Sequence, residues 1–356
     1  MIVLKLIAGF ILLIGGADLL VKGASKIAAA MGISPLVIGL TVVALGTSSP
    51  ELAVSILSSI NGTPNIALGN VIGSNIFNVL FILGISSLII PLVVAQQLVR
   101  FDVPIMIGAS LLTLCFAWDK HIQAWEGLVM VFLGIAYTIF IIYQSKKEKN
   151  KEVLLEYQEE FGEPVKPKTD KPWISLLLIV IGLGLLVLGS QWLVDSAVLI
   201  ANNLGVSDLV VSLTIIAAGT SLPEVATSII ASVKGERDIA VGNVVGSNIF
   251  NLLIILGLSA AVSGGIPVQE ATIAFDIPVM TAVAVACLPI LFTGHKIERW
   301  EGALFFGYYL AYTIYIILAS VRSQSLENFS IAMIWFVIPI TLLTLGVVVI
   351  REIKAK

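Results

Sequence analysis

Long apolar stretches recur from one end of this chain to the other, at roughly 3–21, 35–60, 66–90, 104–118, 124–143, 173–194, 208–232, 239–262, 276–293, 301–319 and 331–350. A helix needs about 20 mostly apolar residues to cross a hydrocarbon core of about 30 Å, and most of these stretches meet that length. None shows the strict alternation of an outer-membrane strand. The pattern predicts an all-α polytopic membrane protein with eleven spans. One long polar segment interrupts it, Gln144 to Pro172, with Lys146, Lys147, Lys149 and Lys151 followed by a Glu- and Pro-rich tail. This reads as a solvated linker, too short for a domain of its own.

Charge then orients the chain. With the linker on the cytoplasmic side, only Lys5, Lys120 and Arg322 of the 20 Lys and Arg fall outside, leaving 17 inside. The positive-inside rule thus places the N-terminus outside and the C-terminus in the cytoplasm. Charged residues make up 12% of the 356 residues, about half the share of a soluble domain. The cysteines, Cys115 and Cys287, stand alone in apolar segments and read as buried small hydrophobes rather than a disulfide or thiolate site.

The chain repeats itself at an offset of 173. Met31–Gly46 aligns with Leu204–Gly219, GTSSPE (46–51) with GTSLPE (219–224), and GNVIGSNIFN (69–78) with GNVVGSNIFN (242–251). Phe101-Asp102-Val103-Pro104 and Trp125-Glu126-Gly127 are echoed at Phe275-Asp276-Ile277-Pro278 and Trp300-Glu301-Gly302. Five spans per unit is odd, so the second unit enters the membrane from the opposite face. Inverted repeats of this kind place a transport site near the midplane. The expected division is a first repeat at 1–143, a cytoplasmic linker at 144–172, an inverted second repeat at 173–320, and an additional helix with a basic tail at 321–356.

The chemistry lies in the repeated motifs. Glu51 and Glu224 fall in mid-span, where an ionisable group is expensive and marks function by default. Pro50 and Pro223 precede them and break the helix, with Gly46 and Gly219 loosening it. Thr47 and Ser48 lie four and three residues before Glu51, and Thr220 and Ser221 repeat this before Glu224, so each set shares one helix face. Ser74 with Asn78, and Ser247 with Asn251, add a hydroxyl and an amide from the next helix. Two carboxylates among many neutral oxygens suit a hard cation such as Ca²⁺, which takes roughly six to eight oxygen ligands. The motifs hold no soft ligand for zinc or copper. A blander reading makes Ser48–Glu51 and Ser221–Glu224 capping boxes at half-helix starts. Gly69/Gly73 and Gly242/Gly246 read as close-packing motifs, and Asn78 and Asn251 as ligands or interhelical bonds. Asp102 and Asp276 read as capping or dipole partners at helix starts.

At GTS-PE and GN-GSN the sequence resembles the cation/calcium exchanger superfamily, most of all its prokaryotic sodium/calcium branch. The resemblance covers the first ten spans and implies a ten-helix inverted-repeat core that exchanges Ca²⁺ for Na⁺ by alternating access. It implies that Glu51 and Glu224 are the central ligands, with Thr47, Ser48, Thr220, Ser221, Ser74 and Ser247 around them. It further implies that the Ala44 and Ala217 carbonyls line flanking Na⁺ positions and that Asn78 and Asn251 complete the centre. Relatives that also carry K⁺ have an aspartate where this chain has Asn251. A Ca²⁺/H⁺ antiporter using the same glutamates is the alternative. A channel lacks the expected symmetric pore, and an enzyme lacks a nucleophile with a base. The expected partners are Ca²⁺, Na⁺ and the bilayer of a plasma (inner) membrane, with no cofactor and no nucleic acid, in a monomer or weak homo-oligomer.

Overall fold

The computed structural model describes residues 2–31, 33–147, 172–203, 217–321 and 323–355. The linker expected at 144–172 lies almost wholly outside these residues, as does the first third of the segment expected at 208–232. The helices, in chain order, are α1 (Ile2–Met31), α2 (Pro35–Thr47), α3 (Ser49–Ile60), α4 (Pro64–Ile89), α5 (Leu98–Ala117), α6 (Ala124–Ser145), α7 (Trp173–Ala201), α8 (Leu222–Val233), α9 (Arg237–Ser263), α10 (Thr272–Phe292), α11 (Arg299–Ser320) and α12 (Ser325–Ile350). Among the described residues, nine are long and apolar enough to cross a membrane, and the pair α2–α3, bent by 47°, passes the same test of length and apolarity only when its two helices are taken together. The chain is a predominantly helical integral membrane protein.

Two helices outrun their apolar stretches. α1 continues to Met31 past Asp18, Lys22 and Lys26, and Asp18 pairs with Lys22 one turn on (2.6 Å) and with Lys234. α7 continues past Asp195, which pairs with Lys5 of α1 at 2.8 Å. Polar residues end the hydropathy signal there, but helical spacing lets them pair and the helix carries on.

The spans are packed by glycines that match between the halves. α1 and α7 run antiparallel, Gly9 against Gly189 and Gly16 against Gly182. A Cβ added at Gly16 would lie 2.7 Å from the Gly182 carbonyl oxygen, and one at Gly189 2.8 Å from that of Gly9. Gly127 of α6 meets Gly257 of α9, and Gly84 of α4 meets Gly302 of α11. Lipid offers apolar helices no hydrophobic reason to associate, so backbone approach of this kind supplies the attraction. Two short antiparallel ladders close the ends. β1 (Leu92–Val93) pairs with β4 (Lys296–Ile297), and β2 (His121–Gln123) with β3 (Gly265–Pro267). The repeats therefore interlock at both ends and through the middle.

At the two aspartates and the motif glycines the structure differs from the sequence reading. Asp102 and Asp276 stand immediately before the α-helical parts of α5 and α10, yet neither side chain caps them. Each instead closes a π-helical turn, Leu98–Asp102 and Thr272–Asp276. Gly242 and Gly246 do pack closely, against Leu36, Leu40 and Ala44 of α2, but no described atom lies within 4 Å of a Cβ built on Gly69 or Gly73. α12 lies at the periphery against α10 and α11, with Leu345 its one buried residue among those described and a Tyr308–Thr341 hydroxyl bond of 2.8 Å.

Gly16→Leu is expected to cost about 1–3 kcal/mol through overpacking. Gly15→Leu, one position round the helix with open space before it, is the control. Melting in detergent would show a clear fall for the first and little change for the second; equal melting would mean that the α1–α7 contact is looser than described.

Candidate functional site

The kink that builds the site comes from proline. Pro50 and Pro223 occupy the first turns of α3 and α8, and the residues before those helices, Ser48 and Ser221, adopt φ/ψ of −79°/9° and −90°/8°. That is the bridge region, neither helix nor strand. A proline also leaves the carbonyl four residues back without its helical donor. In the second repeat that carbonyl, Gly219 O, accepts a 2.7 Å bond from the Ser190 hydroxyl of α7. The helix break thus ties the motif to α7 rather than offering this oxygen to the site.

The capping-box reading fails in an informative way. Ser48 and Ser221 hold the N-cap positions, but neither side chain caps its own helix. Each hydroxyl crosses to the other repeat. Ser48 Oγ donates to Glu224 Oε1 at 2.9 Å, and Ser221 Oγ donates to Glu51 Oε1 at 2.8 Å. Ser221 Oγ also lies 3.2 Å from Ser74 Oγ. The threonines cross as well, Thr47 Oγ1 to Asn243 Oδ1 (3.0 Å) and Thr220 Oγ1 to Asn70 Oδ1 (3.4 Å). Those asparagines reach back to their own repeat's glutamate helix: Asn70 Nδ2 donates to Ser55 Oγ at 3.1 Å and Asn243 Nδ2 to Ser228 Oγ at 3.0 Å.

A second asparagine set joins α4 to α9. Asn78 Nδ2 donates to Asn248 Oδ1 and Asn251 Nδ2 to Asn75 Oδ1, both at 3.0 Å. Asn75 and Asn248 each donate to the other's backbone carbonyl, at 3.2 and 3.3 Å. Asn78 and Asn251 open π-helical turns, Asn78–Leu83 and Asn251–Leu256. Turns of this kind are rare and gather at functional sites.

These bonds leave a distinct set of oxygens over. Glu51 Oε2, Glu224 Oε2, Asn78 Oδ1, Asn251 Oδ1 and Ser247 Oγ are all buried without a hydrogen-bond partner. Their residues are at most 1% exposed. Buried polar atoms are nearly always paired, and orphans call for an explanation. The amide donors of Asn78 and Asn251 are spent on neighbours, so apart from the Ser247 hydroxyl, which can donate or accept, what remains is acceptor oxygen. A set of acceptors with two carboxylates fits a cation and has no use for an anion or a nucleophile. Among the described residues no group of three His, Cys, Asp or Glu could hold a transition metal.

Cross-repeat bonds hold Thr47, Ser48, Glu51, Ser74, Thr220, Ser221 and Glu224, and a second set holds Asn78 and Asn251; Ser247 is buried on α9, one turn before Asn251. The Ala44 carbonyl accepts the backbone N–H of Ser48 at 3.0 Å and the Thr47 hydroxyl at 3.4 Å, so its oxygen is bonded within its own helix. Ala217 lies in the short helical turn Ala217–Gly219, which packs against α4, the helix of Asn70 and Ser74. Asn70, Asn75, Asn243 and Asn248 were missed by sequence reasoning as parts of the site. Their signal was present, since all four lie in the near-identical GN-GSN decapeptide, but spacing along one helix does not reveal a partner on another.

The pattern that defines the sodium/calcium exchanger protein family matches residues 1–143 and 174–318. The chain belongs to that family. It is 34% identical over 343 residues to the sodium/calcium exchanger MaX1 of Methanosarcina acetivorans, covering 87% of this chain and 97% of that one. It is 38% identical over 267 residues to the inner membrane protein YrbG of Escherichia coli, covering 73% and 79%. A solved structure of the sodium-calcium exchanger NCX_Mj soaked with Na⁺ and Sr²⁺ superposes with a TM-score of 0.73 at 29% identity, covering 90% of this chain and 97% of that one. The exchanger is therefore a transport protein of the cation/Ca²⁺ type.

Ser48→Ala and Ser221→Ala each strip one carboxylate oxygen of its donor. Each is expected to cost about 1–3 kcal/mol and, because the bonds are reciprocal, to do so about equally. Melting of the purified exchanger measures this; no loss for either would show that the cross-repeat bonds are not made.

Proposed function

We propose that the chain is a secondary antiporter exchanging Ca²⁺ for Na⁺ at a centre shared by its two repeats. Glu51 and Glu224 supply the charge, with Asn78, Asn251 and Ser247 as neutral oxygens. Thr47, Ser48, Thr220, Ser221 and Ser74 place and complete that set, and the Ala44 and Ala217 carbonyls line its flanks. The observation that carries this reading is the reciprocal Ser–Glu bonding, which leaves one oxygen of each carboxylate unpaired and buried. Two carboxylates neutralise one Ca²⁺, or are shared by Na⁺ ions that arrive in its place. Neither ion needs the other present, so one centre serves both in turn, and access from one face at a time couples the two fluxes. The sodium/calcium exchangers among its relatives support Na⁺ as the counter-ion.

In this reading residues 1–143 and 173–320 are the inverted repeats, 144–172 joins them in the cytoplasm, and 321–356 adds a helix to the core. The N-terminus is outside. The two ladders join loops that an alternating run of spans puts on one side, 92–93 with 296–297 and 121–123 with 265–267, which supports the order of the spans in either orientation; the outside N-terminus rests on the Lys and Arg distribution.

Uptake of ⁴⁵Ca²⁺ by purified protein in Na⁺-loaded liposomes is the test. Removing one partner from a buried charge cluster costs about 3–5 kcal/mol. Glu51→Gln and Glu224→Gln are thus each expected to lower uptake by at least about 100-fold. Uptake is expected to vanish without internal Na⁺. Uptake driven equally by a pH gradient alone would establish proton exchange at the same glutamates, and uptake indifferent to both glutamates would refute the site.

A further inference from the structure

Asp102 and Asp276 hold matched places in the two repeats and stand in unlike surroundings. Asp102 has no exposed surface. Its carboxylate accepts a 3.0 Å bond from Tyr137 Oη and a 3.3 Å bond from Gln97 Nε2. The turn that ends at Asp102 packs against α9, and Ile141, one turn beyond Tyr137 on α6, is fully buried. Asp276 is half-buried and lines a cavity of about 240 Å³, with Asn65, Gln269, Thr272 and Tyr312. Tyr312 corresponds to Tyr137, but among the described residues no hydrogen bond joins it to Asp276. The wall of the cavity is the face of α4 that carries Gly69 and Gly73, and Gly73 directly precedes Ser74 of the central network.

We propose that Asp276 anchors a second, outlying cation site: a vestibule station that holds a hydrated Ca²⁺ or Na⁺ on its way to the glutamate centre. Asp102 is the same station in its shut form, with Tyr137 and Gln97 in the place of the ion. This rests on the exchange reading and deepens it. The chemistry is that of a weak site. One carboxylate, two side-chain amides and two hydroxyls face a space large enough for a cation that keeps most of its water, since a water occupies about 30 Å³. Few charges make a low-affinity oxygen site, and an ion in transit has to leave it again. A carboxylate focused by apolar walls also raises the local cation concentration. The Tyr137 bond shows what becomes of the station when its side closes: the tyrosine hydroxyl takes the carboxylate and no room is left.

The test is ⁴⁵Ca²⁺ uptake against Ca²⁺ concentration in right-side-out and inside-out vesicles from cells expressing the full chain. Asp276→Asn is expected to raise the half-saturating Ca²⁺ about three- to tenfold on the face where the cavity opens. It should leave the value on the other face and the maximal rate unchanged. Asp276→Glu, which keeps the charge, is expected to restore the wild-type value, and Asp102→Asn to shift the opposite face instead. No shift on either face would overturn the proposal, as would an equal shift on both faces or a collapse of the maximal rate. Glu51→Gln and Glu224→Gln, run alongside, separate the two levels. If they transport like wild type, the exchange reading fails and the station with it. If they are inactive while Asp276→Asn is unshifted, only the station fails.

Discussion

Two carboxylates held inside an apolar helical bundle set the condition that the rest of the structure meets. An unpaired charge at that depth is expensive, and breaking a buried pairing is more so. Glu51 and Glu224 meet this through each other's repeats: each accepts the hydroxyl of the opposite serine. The crossing explains why the motifs are duplicated. A single repeat would hold a carboxylate without its serine and a serine without its carboxylate. Partial satisfaction also matters. Were both oxygens of each glutamate bonded to protein, a cation would have to displace protein donors; in the proposed exchange, one free oxygen on each lets the framework stay in place while the cargo changes.

Holding two such motifs together in lipid requires a packing force other than hydrophobic association. The chain uses matched glycines, Gly9 and Gly16 on Gly189 and Gly182, Gly127 on Gly257 and Gly84 on Gly302. Each contact brings backbones close enough for dispersion to act over a long seam. Asn75 and Asn248 add a polar clasp at the centre of the molecule, where each amide donates to the other helix's backbone. The same scaffold carries an asymmetry, for Asp102 lies sealed under Tyr137 while Asp276 faces a cavity. Symmetric sequence in asymmetric surroundings is what alternation between two faces needs.

Much of this was legible in the sequence. The repeats, the mid-span glutamates and the prolines announce a broken-helix site, and spacing places Thr47, Ser48 and Glu51 on one face. What spacing cannot give is the partner. The decisive bonds join residues 147 to 196 positions apart, so spacing let Ser48 and Ser221 be read as ligands or as local caps but not as donors to the other half's glutamate. Asp102 looked like a helix-start residue for the same reason, because its donor Tyr137 lies on a different helix. The π-helical turns at Asn78 and Asn251 left no compositional trace. Hydropathy placed the spans but ended α1 and α7 early, where Lys22 and Asp195 interrupt the apolar run and are then paired.

The central claim is that both repeats make one centre, and counting ions tests it most directly. Equilibrium binding of ⁴⁵Ca²⁺ to the purified protein is predicted to give one high-affinity Ca²⁺ per chain, displaced by Na⁺ and lost in either Glu51→Gln or Glu224→Gln. Two independent Ca²⁺ per chain, with each variant losing one and keeping the other, would contradict it.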